Sequence, residues 1–304
     1  MAISLGTEYA ERVLAKMRKD LKTRFLFNTN YERNAQTGTI MIPCTPDDSL
    51  GDYSKTNLAS NAVSYDSNGW IPCIIDKDKF LNKYLDGYDI AALPYDEIGD
   101  NLDRLGYAAA KTIDTHAINT LVYAINGLDK NGNAFGQTDP RYQKHGTVVS
   151  IGQADFYDKL VDVYGAQTDA GVNPDGRWLL INGAGHAEVL KSNKAIVGGN
   201  LSQELRLRGV VAVIAGFEVY LSGNLTGNQS ITTGTGNDAV TTSNKIYAIA
   251  GHSDFCTRVD AWAVTPQVSD ANGSGIAVGG IFVQARYVFT HEVGNPEAFW
   301  LLCA

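Results

Sequence analysis

The sequence has few of the residues on which most metal and nucleophilic sites depend. Its 304 residues include four cysteines, which stand far apart at Cys44, Cys73, Cys256 and Cys303. The five histidines never occur at the four-residue spacing of a helical metal pair, and no Gly-x-Ser-x-Gly elbow is present. We therefore predict reduced thiols and no catalytic, cofactor or metal site. Cys44 and Cys73 share an Ile-Pro-Cys context, so they could face each other across two strands.

Long apolar runs are also missing. No segment approaches the roughly 20 apolar residues that a bilayer span needs. The N-terminus, MAISLGTEYAERVLAKMRKDL, has neither the apolar run nor the small-residue cleavage site of a signal peptide. We expect a protein that is made in the cytoplasm, has no membrane partner and carries no recognisable export signal.

Positive charge is scarce beyond the first 35 residues. Residues 1–35 hold seven Lys/Arg and four Asp/Glu, a balance of +3, whereas the rest of the chain carries −11, which makes −8 in all. Tight phosphate binding depends on clustered Lys and Arg. The acidic body therefore disfavours a dedicated nucleic-acid reader, and any contact with DNA is expected to be loose and non-specific. With 44% hydrophobic and 19% charged residues, the composition is that of a globular protein.

Residues 7–24 have the pattern of an amphipathic helix, with Thr7 as a suitable N-cap. Its apolar face holds Ala10, Val13, Met17 and Leu21, and its basic face holds Arg12, Lys16, Lys19 and Lys22. Such a helix packs on its own domain or on a partner subunit, and the sequence leaves both possibilities open. A membrane surface is disfavoured because three acidic residues dilute the positive charge.

Residues 34–75 predict a long hairpin. TGTIMIPCTP and NGWIPCII are its two extended arms, each with a proline that removes a ladder donor. The segment between the arms is polar and has little to bury, so the tip is expected to rest on another molecule. The candidate contact residues in the tip are Asp48, Asp52, Tyr53 and Lys55.

The strongest helix pattern begins at Pro94. Apolar residues recur at steps of three and four through PYDEIGDNLDRLGYAAAKTIDTHAINTLVYAI. This spacing predicts a rod of about 45 Å. His116 on this helix is expected to be solvated or to act as a cap.

Residues 147–221 alternate helix and strand, which predicts an α/β domain. GQADFYDKLVDVYG and HAEVLKSN are helical patterns, RWLLIN is a buried strand, and GVVAVIAGFEVYLS is one or two strands broken at Gly216. The Gly/Thr/Ser/Asn-rich residues 222–244 predict a mobile surface loop. The tail AFWLLCA is too apolar for the surface, and we expect it to pack on the long helix.

Two segments imitate ligand-binding motifs. LLINGAGHAEVLK places Gly183 and Gly185 like those of a dinucleotide loop, but Glu188 stands where the third glycine belongs. DKNGNAFGQTDP starts like a calcium loop at Asp129, but Pro140 occupies the position of the bidentate glutamate. The first leaves a disfavoured interpretation as a nucleotide-binding enzyme, and the second predicts a turn.

The order of these parts resembles that of the major capsid proteins of tailed bacteriophages, which have the Hong Kong 97 fold. IIDKDKFLNKYLDGYDIA with AAAKTIDTHAINTL resembles the return of the family's E-loop into the peripheral domain and its spine helix. VNPDGRWLLIN is similar to the entry into an axial-domain strand, and GVVAVIAGFEVYLSGNL to a late axial-domain strand. The matching residues are Asp76, Lys77, Phe80, Asp86, Asp89, Ala110, Ile113, Asp114, Pro174, Gly176, Arg177, Gly209, Gly216, Phe217, Val219, Tyr220, Ser222, Asn224 and Leu225.

The resemblance implies an α+β fold in five parts. An N-terminal arm (1–35) precedes an E-loop hairpin (36–75) and a peripheral domain with a long spine helix (76–146). An axial α/β domain (147–250) follows. The final part (251–304) ends the axial domain and returns to the peripheral domain.

The resemblance also implies a structural protein and not an enzyme. Its copies would form the pentamers and hexamers of an icosahedral or prolate head around double-stranded DNA, assembled in the host cytoplasm and present in the virion. The implied partners are a portal protein, a separate scaffolding protein, because no long coiled-coil extension precedes the arm, and a cement or decoration protein. Arg12 and Lys16 of the arm are further candidate contacts. An encapsulin-like compartment shell shares the fold and is the alternative, although the long Asp-rich hairpin after the arm favours a virus.

Overall fold

A computed structural model of the chain describes residues 23–31, 38–44, 55–56, 69–88, 97–151, 156–191, 213–225, 228–233, 240–270 and 279–303. The helices of this part are α1 (Glu97–Ile125), α2 (Phe156–Asp169) and α3 (Gly183–Lys191). The strands are β1 (Thr39–Cys44), β2 (Gly69–Ile74), β3 (Lys77–Asp86), β4 (Thr147–Ser150), β5 (Arg177–Ile181), β6 (Val213–Ile214), β7 (Phe217–Leu221), β8 (Asn228–Thr233), β9 (Val240–His252), β10 (Cys256–Asp270), β11 (Gly280–Val293) and β12 (Trp300–Cys303). Most of the predicted arm helix lies outside the described residues, and Thr23–Phe25 at its end form a 3₁₀ turn.

The predicted long helix, α1, is confirmed, and it packs against two sheets. Leu102 and Ile113 pack against the three-stranded sheet of β10, β11 and β3. Further along the helix, Leu121 and Ile125 pack against the seven-stranded sheet. The helix ends where Gly127 adopts a φ of 71°, a left-handed conformation that favours glycine. A helix of 29 residues therefore joins both sheets along roughly 43 Å.

The seven-stranded sheet has the order β4-β12-β9-β5-β7-β6, with β8 paired to β9 beside this path. The central strand β5 is buried at every position, which confirms the predicted buried strand. Its Trp178 and Leu180 face the core shared with α1, whereas Leu179 and Ile181 face the core shared with α2 and α3. Because successive strand residues point to opposite faces, helices cover both sides of the sheet.

The break predicted at Gly216 is confirmed. Strands β6 and β7 pair antiparallel around a tight turn in which Gly216 has a φ of 85°. A Cβ at this position would lie 2.5 Å from Cε2 of Tyr164 on α2. Both the backbone conformation and the close packing therefore require glycine here.

The predicted loop at 222–244 is wrong for part of its length. Strand β8 pairs antiparallel with the first half of β9, from Asn228 opposite Lys245 to Thr233 opposite Val240. Both strands are rich in threonine and other β-branched residues, which favour extended backbone. The glycines and asparagines of the segment therefore do not prevent pairing.

The apolar tail is buried as predicted. Phe299 and Leu301 share a core cluster with Leu121 and Ile125 of α1. The tail also forms β12, which lies between β4 and β9 in the seven-stranded sheet. Its burial thus comes from sheet pairing as well as from contact with the helix.

Candidate assembly site at the root of the hairpin

The two arms of the predicted hairpin form an antiparallel pair, β1 and β2, here called the hairpin root. Alternate side chains bury one face of this pair, because strand residues point to opposite sides. The buried residues Ile40, Ile42, Ile71 and Cys73 cluster with Val259 of β10. The root is therefore anchored on the three-stranded sheet.

The opposite face of the hairpin root is exposed and uncharged. It consists of three cross-strand pairs: Thr39 with Ile74, Met41 with Pro72 and Pro43 with Trp70. Met41 and Trp70 are each 54% exposed, and Ile74 is 50% exposed. A contiguous apolar patch of this kind is typical of a surface that is covered in an assembly.

The registration of the two strands corrects the expectation about the cysteines. Cys73 lies opposite Ile40, and Cys44 lies opposite Gly69, so the two thiols do not face each other. Both are free. Burial, and then the nearby Glu292 carboxylate, raises the pKa of the Cys73 thiol to about 12, which leaves it protonated and unreactive.

A buried cluster of charges lies beside the hairpin root. Arg141 donates to Glu292 of β11 and pairs with Asp139 at 2.9 Å. Lys130 lies 3.4 Å from Asp76 and 3.8 Å from Glu292. Burial raises the pKa of Glu292 above its ordinary value in spite of the neighbouring cations. Burial alone would also raise the pKa of Asp76, but Lys130 and Lys77 lower it overall.

Two residues singled out by the family resemblance meet at a second junction. The buried carboxylate of Asp114 on α1 accepts hydrogen bonds from the backbone and side chain of Thr23, at 3.1 Å and 2.6 Å. It also accepts from the side-chain amide of Asn224, at 3.3 Å. Asp114 therefore ties the segment before the hairpin and the segment after β7 to the long helix.

His116 is not solvated, which corrects the sequence-based expectation. Its Nδ1 lies 2.9 Å from Nδ1 of His291 on β11. Among the described residues, neither Nε2 atom has a hydrogen-bond partner. Burial, and then the nearby Lys77, lowers the pKa of His116 to about 4, and burial also lowers the pKa of His291. Both rings are therefore uncharged, because burial disfavours the protonated form of each. The pair joins the long helix to the three-stranded sheet.

Most of the predicted contact residues lie outside the described part of the chain. These are Asp48, Asp52 and Tyr53 of the hairpin tip and Arg12 and Lys16 of the arm. Lys55 is described and is exposed. The structure therefore places the root of the hairpin but does not test these six residues as contacts.

The dinucleotide-like turn has a packing role in the structure. A Cβ on Gly185 would lie 2.6 Å from the carbonyl oxygen of Tyr247, so glycine permits α3 to approach β9. The backbone N–H of Gly185 donates to the Asn182 side chain at 2.8 Å, which occupies a donor at the start of α3. The calcium-like segment forms the predicted turn, in which Asp129 accepts from the backbone N–H groups of Asn131 and Asn133.

The residues of the buried charge cluster were not predicted from the sequence. Arg141 and Glu292 are separated by 151 positions. No motif links them, and in the sequence each is typical of an exposed charged residue. They meet because Glu292 lies near the end of β11, opposite Thr257 of β10, and the chain after α1 returns to this point.

A family model described as phage capsid protein matches residues 89–302. The chain belongs to this family. Of the helices in the described ranges, none is both long and apolar enough to cross a membrane. No curated protein matches this capsid protein in sequence.

Solved structures show the same fold. A structure from Mycobacterium phage Che8 is 17% identical and matches with a TM-score of 0.63 over 91% of this chain and 89% of the other. The capsid structure of the cyanophage P-SCSP1u is 13% identical, with a TM-score of 0.66 over 88% of this chain and 83% of the other. The capsid protein thus has a mixed helix and sheet fold of the Hong Kong 97 type, and its family makes it a structural protein of the virion.

The family match does not favour the compartment alternative. A virus-like particle from Pyrococcus furiosus is 10% identical and matches with a TM-score of 0.56 over 97% of this chain and 98% of the other. This likeness shows the shared fold alone, whereas the family that matches the sequence is a phage capsid family.

Proposed function

We propose that this capsid protein assembles with copies of itself into pentamers and hexamers of an icosahedral or prolate head that encloses double-stranded DNA. The observation that carries the proposal is the uncharged, exposed face of the hairpin root, with Met41 and Trp70 at its centre. The other face of the root is fixed to the three-stranded sheet. A neighbouring copy that covers the exposed face would remove apolar area from water, and many such contacts would add up over a shell.

The fold supports the assignment of two domains within the subunit. We assign the three-stranded sheet and the first half of α1 to a peripheral domain, and the seven-stranded sheet with α2 and α3 to an axial domain. The hairpin at 36–75 acts as the E-loop and lies over a neighbouring subunit. In this assignment β12 belongs to the axial sheet.

We further propose the partners of such a head. They are a portal protein, a separate scaffolding protein and a cement or decoration protein, with assembly in the host cytoplasm. The acidic body, which carries −11 outside the first 35 residues, is suited to confining DNA without binding it tightly. Arg12, Lys16 and the tip residues Asp48, Asp52, Tyr53 and Lys55 are the proposed polar contacts between subunits or with the scaffold.

The exposed face of the root provides the test. The purified protein is examined by mass photometry and negative-stain microscopy, alone and with the scaffold candidate encoded beside it. We expect closed shells or capsomer-sized rings for the natural chain and for Trp70→Leu, which keeps an apolar side chain. Trp70→Glu and Met41→Glu should remain free subunits with an unchanged circular dichroism spectrum, because each places a charge in the contact.

Two results would count against the proposal. A natural chain that stays monomeric or dimeric under all conditions would contradict assembly into a head. Regular shells from Trp70→Glu in normal yield would show that the hairpin root is not a contact.

A further inference from the structure

The calcium-like segment has a shape that its motif does not explain. The Asp129 carboxylate accepts hydrogen bonds from the backbone N–H groups of Asn131, at 2.9 Å, and Asn133, at 2.8 Å. The N–H of Asp129 donates to the carbonyl of Asn133 at 2.7 Å, and Gly132 has a φ of 82°. These bonds form a tight turn directly after the long helix, with Lys130 at its second position.

The turn delivers the ammonium group of Lys130 to the end of β2. Lys130 is 9% exposed, and its Nζ donates to the backbone carbonyl of Ile74, the last residue of β2. The same group donates to Oγ1 of Thr290 on β11 at 2.8 Å. An ammonium has three donors and is costly to bury unless they are used. The position of the ammonium group is therefore fixed by its contacts with β2 and β11 and by the carboxylates of Asp76 and Glu292.

The far end of the same segment contacts the start of β2. A Cβ placed on Gly69 would lie 3.0 Å from Cγ of Pro140, so the proline ring packs closely on this end of the strand. The next residue, Arg141, stacks over the Phe135 ring at 4.4 Å and donates to the carbonyl of Val293 at 2.9 Å. Arg141 is thus bonded to β11, while the adjacent Pro140 contacts the hairpin root.

We propose that residues 129–141, here called the clamp loop, set the direction in which the hairpin projects from the subunit, with Lys130 as the positioning residue. The clamp loop contacts β2 at its first and last residues, Gly69 and Ile74, and holds both through β11. With both ends of β2 fixed, the hairpin root presents its exposed face at one angle to the neighbouring subunit. This inference rests on the proposed function, because a fixed angle matters only where the hairpin contacts another copy.

The test compares Lys130→Met, which keeps length but removes the donors, with Arg177→Lys, which weakens a different buried cation. Arg177 donates to the carbonyls of Tyr164, Val172 and Asn173, far from the hairpin in sequence and on another sheet. Hydrogen exchange of the free subunits is measured by mass spectrometry on peptides covering β1, β2 and β5. We expect Lys130→Met to speed exchange in β1 and β2 by about tenfold or more, with β5 changed by less than about twofold.

Assembly provides the second measurement. With the scaffold candidate present, Lys130→Met should give a broader distribution of shell sizes, or open sheets, where Arg177→Lys gives shells of the natural size. Asp129→Ala is the reserve variant if Lys130→Met fails to fold, because it loosens the turn without leaving buried carboxylates unpaired. We expect Asp129→Ala to change exchange in β1 and β2 in the same direction.

Several outcomes would overturn the clamp loop proposal. These are unchanged exchange in β1 and β2 for both Lys130→Met and Asp129→Ala, the same local change in Arg177→Lys, or shells of natural size and yield from Lys130→Met. If the natural chain forms no shells, the proposed function fails while the exchange comparison still decides whether the loop clamps the root.

Discussion

At the scale of single residues, glycine has different roles at Gly251 of β9 and Gly165 of α2. A Cβ on Gly251 of β9 would lie 2.5 Å from the Phe299 ring and 2.8 Å from the Trp178 ring. A Cβ on Gly165 of α2 would have no heavy atom within 4 Å in the described structure apart from its own turn of helix. Gly251 therefore makes room for two aromatic rings, whereas Gly165 only adds flexibility to a helix.

We expect alanine at these two glycines to have opposite effects on stability. Gly251→Ala should lower the free energy of unfolding by about 1–3 kcal/mol, because the added methyl group overpacks the core. Gly165→Ala should raise it by about 0.5–1 kcal/mol, because alanine restricts the unfolded chain and favours helix. Urea unfolding of the free subunits measures both changes. An unchanged midpoint for Gly251→Ala would contradict the packing described for Phe299 and Trp178.

At the scale of elements, local patterns predict those parts of the fold that local physics determines. The long helix, the strand of RWLLIN and the arms of the hairpin follow from apolar spacing and turn residues. The order of strands in the seven-stranded sheet does not, because β12 and β4 are far apart in the sequence. The pairing of β8 with β9 was not predicted, because the glycines and asparagines of residues 222–244 are typical of a loop although the segment also contains β-branched residues.

The candidate site, too, could be predicted from the sequence only in part. The hairpin and its extended arms were predicted, but the exposed apolar face depends on the registration of β1 with β2, which one-dimensional spacing does not specify. Lys130 and Glu292 come together only through the sheet that carries β11. Buried charges of this kind are decided by tertiary contacts, so a sequence without a motif gives no signal for them.

The contact between α1 and β11 is expected to weaken in acid. The histidine pair is held uncharged in the folded state, where the pKa of His116 is about 4 against an ordinary value of 6.5. Below pH 6.5 the unfolded chain binds protons that the folded chain does not, so the free energy of unfolding falls as the pH drops towards 4. The charged form of His116 is disfavoured by Lys77, Lys79 and Lys130 and favoured by Asp76. The charged form of His291 is disfavoured by Lys130 and Arg258.

Denaturant unfolding of free subunits at several pH values measures this effect. The double variant His116→Leu with His291→Phe replaces the pair by apolar side chains and is the comparison. We expect the natural chain to lose at least about 1 kcal/mol more than the double variant between pH 6.5 and 4. Parallel pH profiles would contradict the role of the histidine pair.

At the scale of the whole molecule, stability and assembly are linked. The hairpin root leaves apolar side chains such as Met41 and Trp70 exposed in the single subunit. Association that covers them stabilises the folded state by mass action, because the contact exists only between folded chains. The stability of a subunit in a shell should therefore exceed that of a free one.

The thermal midpoint in the presence of scaffold should consequently rise with protein concentration. We expect this rise for the natural chain and for Trp70→Leu, and a midpoint independent of concentration for Trp70→Glu. Differential scanning calorimetry over a hundredfold range of concentration measures it. A rise of equal size in Trp70→Glu would assign the stabilisation to other surfaces.

The position of β12 has a consequence for synthesis. Strand β4 ends at Ser150 and lies at the edge of its sheet, where it pairs with β12, which begins only at Trp300. At typical translation rates, the intervening stretch takes roughly 8 to 30 seconds to emerge from the ribosome. Until then β4 and β9 lack the strand that lies between them in the seven-stranded sheet, and so does any chain that ends before Trp300. We therefore expect incomplete chains, which cannot complete the seven-stranded sheet, to be excluded from assembly.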